Sequence, residues 1–186
     1  MVFKETGLSG AFLIEVQLHS DERGSFGRSF CSREFDERGL DSSVVQCNVS
    51  YNRRRGTLRG MHYQEAPHEE AKLVRCARGA IYDVIVDLRP ESATFRKWAA
   101  FELVAAPDRP SKMVYVPKGF AHGFLTLQDD TEVFYQMSEY FVAATARGVR
   151  WNDPAFGIQW PEPVMVISDR DRSYPDFLGQ PAPVRS

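Results

Sequence analysis

Between residues 80 and 88 the chain alternates with a period of two. Ala80, Tyr82, Val84, Val86 and Leu88 fall on one face, and Ile81, Asp83, Ile85 and Asp87 on the other. That period belongs to a β-strand, whose successive side chains point to opposite sides of a pleated backbone. Other stretches alternate in the same way or are rich in β-formers: AFLIEVQLHS (11–20), GSFGRSFC (24–31), VVQCNVSYN (44–52), TLRGMHYQ (57–64), KLVRCAR (72–78), WAAFELVA, KMVYVP, GFLTL and TEVFYQMSEYF (131–141). Turn residues punctuate them at Pro90, Pro107, Pro110, Pro117–Gly119 and Asp129–Asp130, and RRRG (53–56) reads as a turn. Many short, evenly spaced strands predict an all-β sandwich or barrel. One short helix is expected over SREFDERG (32–39), with Ser32 as its N-cap and Gly39 as its stop. The glycine inside TLRGMHYQ predicts a bulge or a close backbone approach. After Ile167 the chain turns polar and proline-rich, and residues 177–186 are expected to form a flexible tail.

Composition narrows this picture. With 186 residues the chain fits one domain, and 43% apolar against 26% charged residues is enough for a real core. Aromatics reach 12%, with 13 Phe, which suits a sheet protein with a wide interior. A net charge of −2 gives no general attraction to nucleic acid or to an anionic membrane, so an anionic ligand needs local arginines. Cys31, Cys47 and Cys76 are odd in number and match no zinc or redox spacing, so they read as reduced thiols of a cytoplasmic protein. The N-terminal MVFKETGLSG carries no signal-peptide pattern, and apolar runs such as AIYDVIV are too short for a membrane span.

The candidate chemistry centres on histidine. Of His19, His62, His68 and His122, two stand beside glycines at strand-like positions, in RGMHYQ and GFAHGF. Each reads either as a structural histidine with a hydrogen-bond partner or as a base aimed into a pocket. Lys72 opens an otherwise apolar strand, as a snorkelling surface lysine or as a site cation. Tyr135 shares the parity of Val133 and Met137, which places a phenol on an apolar face. Asp83 interrupts IYDVIV and needs a partner such as histidine or arginine. Asp169 and Asp171 read as loop caps, or one of them as the carboxylate that orients a histidine. Arg59, between Leu58 and Gly60, suits phosphate. A metal is not favoured: a metal-binding jelly roll of the cupin class uses a His-x-His pair, whereas Gln64 follows His62 and Phe124 follows His122 at that spacing, and HEE (68–70) reads as a solvated charge cluster. No Gly-rich phosphate loop occurs.

Taken in order, DERGSF (21–26), QCNVS (46–50), TLRGMHYQ (57–64), KLVRCARGAIYDVIVDLRPES (72–92), VPKGFAHGF (116–124), EVFYQMSEYF (132–141), WNDPAFGIQWP (151–161) and ISDRD (167–171) resemble the dTDP-4-dehydrorhamnose 3,5-epimerase family of deoxysugar-nucleotide epimerases, over nearly the whole chain. The resemblance implies an all-β, cupin-type jelly roll with short peripheral helices. It implies a cofactor-independent isomerase that works without metal, usually as a homodimer in which one chain lends Arg23 to its neighbour's site. By motif position it implies His62 as base, Asp171 as its orienting carboxylate, Lys72 and His122 beside the reacting sugar, and Tyr135 as acid on the opposite face. Gln46, Asn48, Arg59 and Tyr140 match positions that contact sugar or diphosphate. Three positions depart from the family pattern. His19 stands where an aromatic residue is usual, Cys47 where Asp is usual, and Arg28 where an acidic residue pairs with thymine. They touch the base-binding end, so the expectation is conserved chemistry with the nucleotide or the sugar open to change. The alternatives are a monoepimerase of another nucleotide-linked 4-keto sugar, a keto-sugar isomerase, and a non-catalytic sugar-binding jelly roll.

Overall fold

The computed structural model describes residues 1–106 and 110–177. Thirteen strands and two short helices are described: β1 (Val2–Glu5), β2 (Phe12–Glu15), β3 (His19–Asp21), β4 (Gly24–Phe26), α1 (Ser32–Asp36), β5 (Gln46–Asn52), β6 (Leu58–Gln64), β7 (Lys72–Arg78), β8 (Ala80–Asp87), β9 (Trp98–Val104), β10 (Lys112–Val116), β11 (Phe120–Thr126), β12 (Thr131–Met137), β13 (Ala146–Gly148) and α2 (Asp169–Arg172). They form a jelly roll. A six-stranded sheet, in the order β1-β2-β10-β7-β12-β5, faces a five-stranded sheet, in the order β13-β6-β11-β8-β9, and every pairing is antiparallel. The β3–β4 hairpin stands apart from both.

The alternation in β8 is explained by burial on both of its faces. Ile81 and Ile85 point between the sheets and meet Val74, Val114 and Val133 of the opposite sheet, together with Leu103 and Phe124 of their own. Val84 and Val86 point outward and are covered by Val149, Phe156 and Ile158 from the C-terminal part of the chain. The outer face of the larger sheet is covered by α1, whose Phe35 packs with Ile14, Leu73, Met113 and Tyr115. Fully burying side chains of this size contributes about 1.5–3 kcal/mol each.

Several expectations shift at their edges. The strand expected over 11–20 splits into β2 and β3, and only Gly24–Phe26 of GSFGRSFC is strand. The short helix is present, but Cys31 rather than Ser32 holds the N-cap position and makes no side-chain cap bond; Gly39 ends the segment at φ 67°. Residue 177, the first of the expected tail, is packed rather than loose. Ser168 caps α2, and Phe177 packs on Phe95 and Phe156 with its amide on Asp153. The remainder of the expected tail, 178–186, lies outside the described residues. Among the described residues no helix is long and apolar enough to cross a membrane.

Candidate active site

Gly60 and Gly123 place the two central histidines. His62 on β6 lies directly across from His122 on β11, and the register between these strands slips just beyond, between His122 and Phe124. A Cβ on Gly60 (φ 140°) would sit 2.5 Å from the Gly123 Cα; a Cβ on Gly123 would sit 2.8 Å from the Arg59 carbonyl oxygen. Side chains at either position would force the backbones apart. The close approach expected from the sequence is therefore real, and it joins two glycines that each neighbour a site histidine.

Both histidines are held by carboxylates. His62 Nε2 lies 2.7 Å from Asp171 Oδ1, and the Gly60 amide donates to Asp171 Oδ2 at 3.3 Å. Asp171 enters from α2, where the Ser168 hydroxyl accepts from its amide. The His62 side chain is 40% exposed and that of Asp171 only 7%, so the imidazole faces solvent space and the carboxylate is sealed behind it. Burial alone would raise the Asp171 carboxyl. The hydrogen bond and charge of His62, the Gly60 amide and the Ser168 hydroxyl outweigh burial and hold it below the ordinary carboxylate range. An ionised carboxylate only accepts, so Nε2 carries a hydrogen, and Nδ1 is the ring nitrogen turned away from the carboxylate. His122 Nε2 makes the matching contact with Asp83 Oδ2 at 2.8 Å, the partner that the buried aspartate required. Asp83 Oδ1 is buried without a hydrogen-bond partner.

The opposite sheet supplies Lys72 and Tyr135. Lys72 is not a snorkelling surface lysine. Its side chain is 8% exposed; Nζ lies 2.9 Å from Glu70 Oε1 and donates to the His62 carbonyl at 3.3 Å. Tyr135 meets the His122 ring edge-on, with centroids 6.1 Å apart. Burial pushes its phenol far above the usual range, aided by the Asp83 charge and opposed by the Ser50 hydroxyl and Arg59. At neutral pH it is therefore a proton carrier, not an anion.

These groups surround a cavity of about 530 Å³, lined also by Asn48, Arg59 and Phe124. Its size lies in the range of small-molecule and cofactor pockets. Arg59 is exposed at the mouth, and its Nε donates to the buried Asn52 Oδ1 at 2.7 Å. The other expected contacts lie outside the cavity wall. Gln46 bonds Asn48 and the Phe141 amide. The Tyr140 side chain is exposed. Arg28 is paired with Glu34 beside α1, at 3.0 Å. Arg23 sits on the exposed hairpin and bonds Asp21. His19 is exposed on the same hairpin, and Cys47 is exposed on β5.

Sequence reasoning missed Glu70, read as part of a solvated cluster; it is buried against Lys72 and Gln64. It also missed Ser50, Asn52 and Ser168. For β5 a signal was present: Gln46, Asn48, Ser50 and Asn52 share one parity, and along it burial deepens from the exposed Asn48 through the half-buried Ser50 to the buried Asn52, whereas Cys47, Val49 and Tyr51 are all exposed. A polar parity that runs from the surface into the interior marks a strand bordering a cavity. Gln64, at the position a metal-binding jelly roll would give to histidine, spends its amide on the His68 carbonyl, Glu70 and the Tyr140 carbonyl. Among the described residues, no three His, Cys, Asp or Glu side chains converge to hold a metal ion.

The family model for dTDP-4-dehydrorhamnose 3,5-epimerase matches residues 5–178. The enzyme of that name from Methanothermobacter thermautotrophicus is 40% identical over 183 residues, covering 96% of each chain. The Bacillus anthracis dTDP-4-dehydrorhamnose 3,5-epimerase, solved with TDP and PPi bound, superposes with a TM-score of 0.87 at 43% identity, covering 94% of this chain and 99% of that one. ChmJ, a 3'-monoepimerase from Streptomyces bikiniensis solved with dTDP-quinovose, superposes with a TM-score of 0.80 at 36% identity, covering 91% and 85%.

Proposed function

The chain belongs to the dTDP-4-dehydrorhamnose 3,5-epimerase family, and from that premise we propose that it epimerises a dTDP-linked 4-keto-6-deoxy sugar at carbon 3, carbon 5 or both. The observation that carries this reading is a base and an acid on facing walls of one cavity. His62, backed by Asp171, stands on the five-stranded sheet, and the protonated Tyr135 stands on the six-stranded sheet. A proton next to a ketone is acidic because its loss leaves an enolate. His62 Nδ1 takes the proton from one face of the ring. The carboxylate of Asp171 stabilises the imidazolium that forms. The Lys72 ammonium and His122 meet the charge growing on the carbonyl oxygen. Tyr135 returns a proton to the opposite face, and the carbon inverts. Positioned proton transfer supplies about 10²- to 10⁴-fold, or about 3 to 5 kcal/mol, so enolate stabilisation by Lys72 and His122 supplies a further share.

Arg59 and Asn48 hold the diphosphate end at the mouth. The protein acts as a homodimer, in which the partner's hairpin brings a second Arg23 to this mouth. Support comes from the hairpin, whose Phe26 is 77% exposed, and from the free edge of β5, which exposes Val49 and Tyr51. Gln46 and Tyr140 then border the completed mouth. Arg28, neutralised by Glu34 on its own chain, leaves the base end to other groups.

The test is proton NMR of dTDP-4-keto-6-deoxyglucose with the protein in deuterated water. Deuterium at carbons 3 and 5 supports a 3,5-epimerase; absence of exchange at both refutes the reading. The similarity to ChmJ favours one second reading, a monoepimerase, which would label a single carbon.

A further inference from the structure

Glu70 is a buried acid with no part in the proton transfer described above. It lies two residues before Lys72, in the turn leading into β7, and its side chain is 6% exposed. Its two oxygens have different partners. Oε1 lies 2.9 Å from Lys72 Nζ. Oε2 accepts from Gln64 Nε2 at 3.0 Å, and Gln64 is itself fixed by the His68 and Tyr140 carbonyls and by the Val142 amide, which donates to its Oε1 at 2.6 Å. A lysine side chain has four rotatable bonds and, left alone, samples many positions. Here the ammonium has two fixed acceptors, Glu70 and the His62 carbonyl, and the latter belongs to the proposed base. An ammonium has three N–H donors, so the third is free to point into the cavity that Lys72 lines.

We propose that Glu70, anchored by Gln64, is a positioning residue that fixes the Lys72 ammonium toward the carbonyl oxygen of the bound sugar. The proposal rests on the epimerase reading for its chemistry but not for its geometry. A buried cation without a counter-charge is costly, and a mobile one is poorly preorganised; Glu70 removes both defects. The position that would give a metal-binding jelly roll its second histidine is thus occupied by the residue that holds Glu70. An ammonium clamped between two acceptors stands where the keto oxygen needs positive charge.

The test compares wild type, Glu70→Gln, Lys72→Met and the double variant. Glu70→Gln preserves shape and one acceptor oxygen but removes the charge. Its kcat for deuterium exchange into dTDP-4-keto-6-deoxyglucose is expected to fall about 10- to 100-fold with KM within about threefold, as for supporting residues that orient a reacting group. In the Lys72→Met background the same change should cost nothing further, because the two act as a unit. Independent full-size losses in the double variant, or an unchanged kcat in a folded Glu70→Gln protein, would overturn the proposal. A second readout needs no turnover. In ¹⁵N-lysine-labelled protein the Nζ signal of Lys72, assigned by its absence from Lys72→Met, should be protected from solvent exchange in wild type and lose that protection in Glu70→Gln. Protection that survives the substitution overturns the proposal even if no substrate is turned over. Wild type that exchanges no deuterium refutes the epimerase reading alone.

Discussion

The two ends of the cavity are built differently. At the inner end His62, His122 and Tyr135 sit within β6, β11 and β12, and Lys72 opens β7. Asp171, Asp83 and Glu70 hold three of them from behind. At the outer end Arg23 and Arg28 are exposed and neutralised by Asp21 and Glu34 of the same chain, while Tyr140 presents an exposed ring. The inner end is complete within one chain, and its geometry is fixed by sheet register. The outer end is a set of side chains awaiting something to close on. Chemistry that tolerates no misplacement belongs on register, and recognition that differs between substrates belongs on hairpins and edges.

That contrast can be broken most directly at the inner end. His62→Ala and Tyr135→Phe should each lower deuterium exchange about 10²- to 10⁴-fold while the unfolding temperature stays near wild type; a loss below tenfold would remove either residue from the proton relay. Gly123→Ala adds a Cβ 2.7 Å from Met61 Sδ and 2.8 Å from a backbone oxygen. It should destabilise by about 1–3 kcal/mol in urea and lower kcat together with stability.

Asp171 connects activity to acid stability. Its folded carboxyl lies below the unfolded value near 3.8. Its ionised form therefore stabilises the protein above that value, and the contribution disappears as pH falls through the folded value. Between pH 7 and pH 5, Asp171→Asn should be about 1.5–3 kcal/mol less stable than wild type, and the gap should narrow as pH falls from the unfolded value near 3.8 through the lower folded one; a gap independent of pH would show that shape, not charge, matters there. At the outer end the effects should be smaller and of another kind. Arg23→Ala should raise KM about tenfold and leave kcat nearly intact, and its steady-state rate should be restored in part by mixing with His62→Ala protein, whose chain carries a good hairpin but no base. Arg28→Ala should change kcat/KM within about twofold, because its partner is Glu34 rather than a ligand.

Much of the inner end was legible in the sequence because period-two alternation assigns faces. The parity of Tyr135 with Val133 and Met137 gave its direction, and the interruption of IYDVIV by Asp83 announced a buried partner. Gly60, inside TLRGMHYQ, signalled a bulge or a close backbone approach, though not that Gly123 would be what it meets. Glu70 was hidden because HEE follows a proline, where charges usually face water; Lys72, the Gln64 amide at the end of β6 and the 138–142 segment bonded to Gln64 hold it inward. At position 28 the family pattern has an acidic residue that pairs with the base; this chain carries Arg28 there, and its partner within the chain is Glu34, six residues on. The splitting of 11–20 into two strands is also a tertiary effect. Phe12–Glu15 pairs with β1 and β10, whereas His19–Asp21, among the described residues, pairs with its own hairpin partner alone.

The contact between Gly60 and Gly123 makes the separation of the two histidine rings a property of the main chain. Their α-carbons are pinned by strand pairing and by two residues with no side chain to repack. Substitutions at the mouth can therefore accumulate without retuning the spacing of His62 and His122. One fixed spacing can thus be kept while the mouth changes.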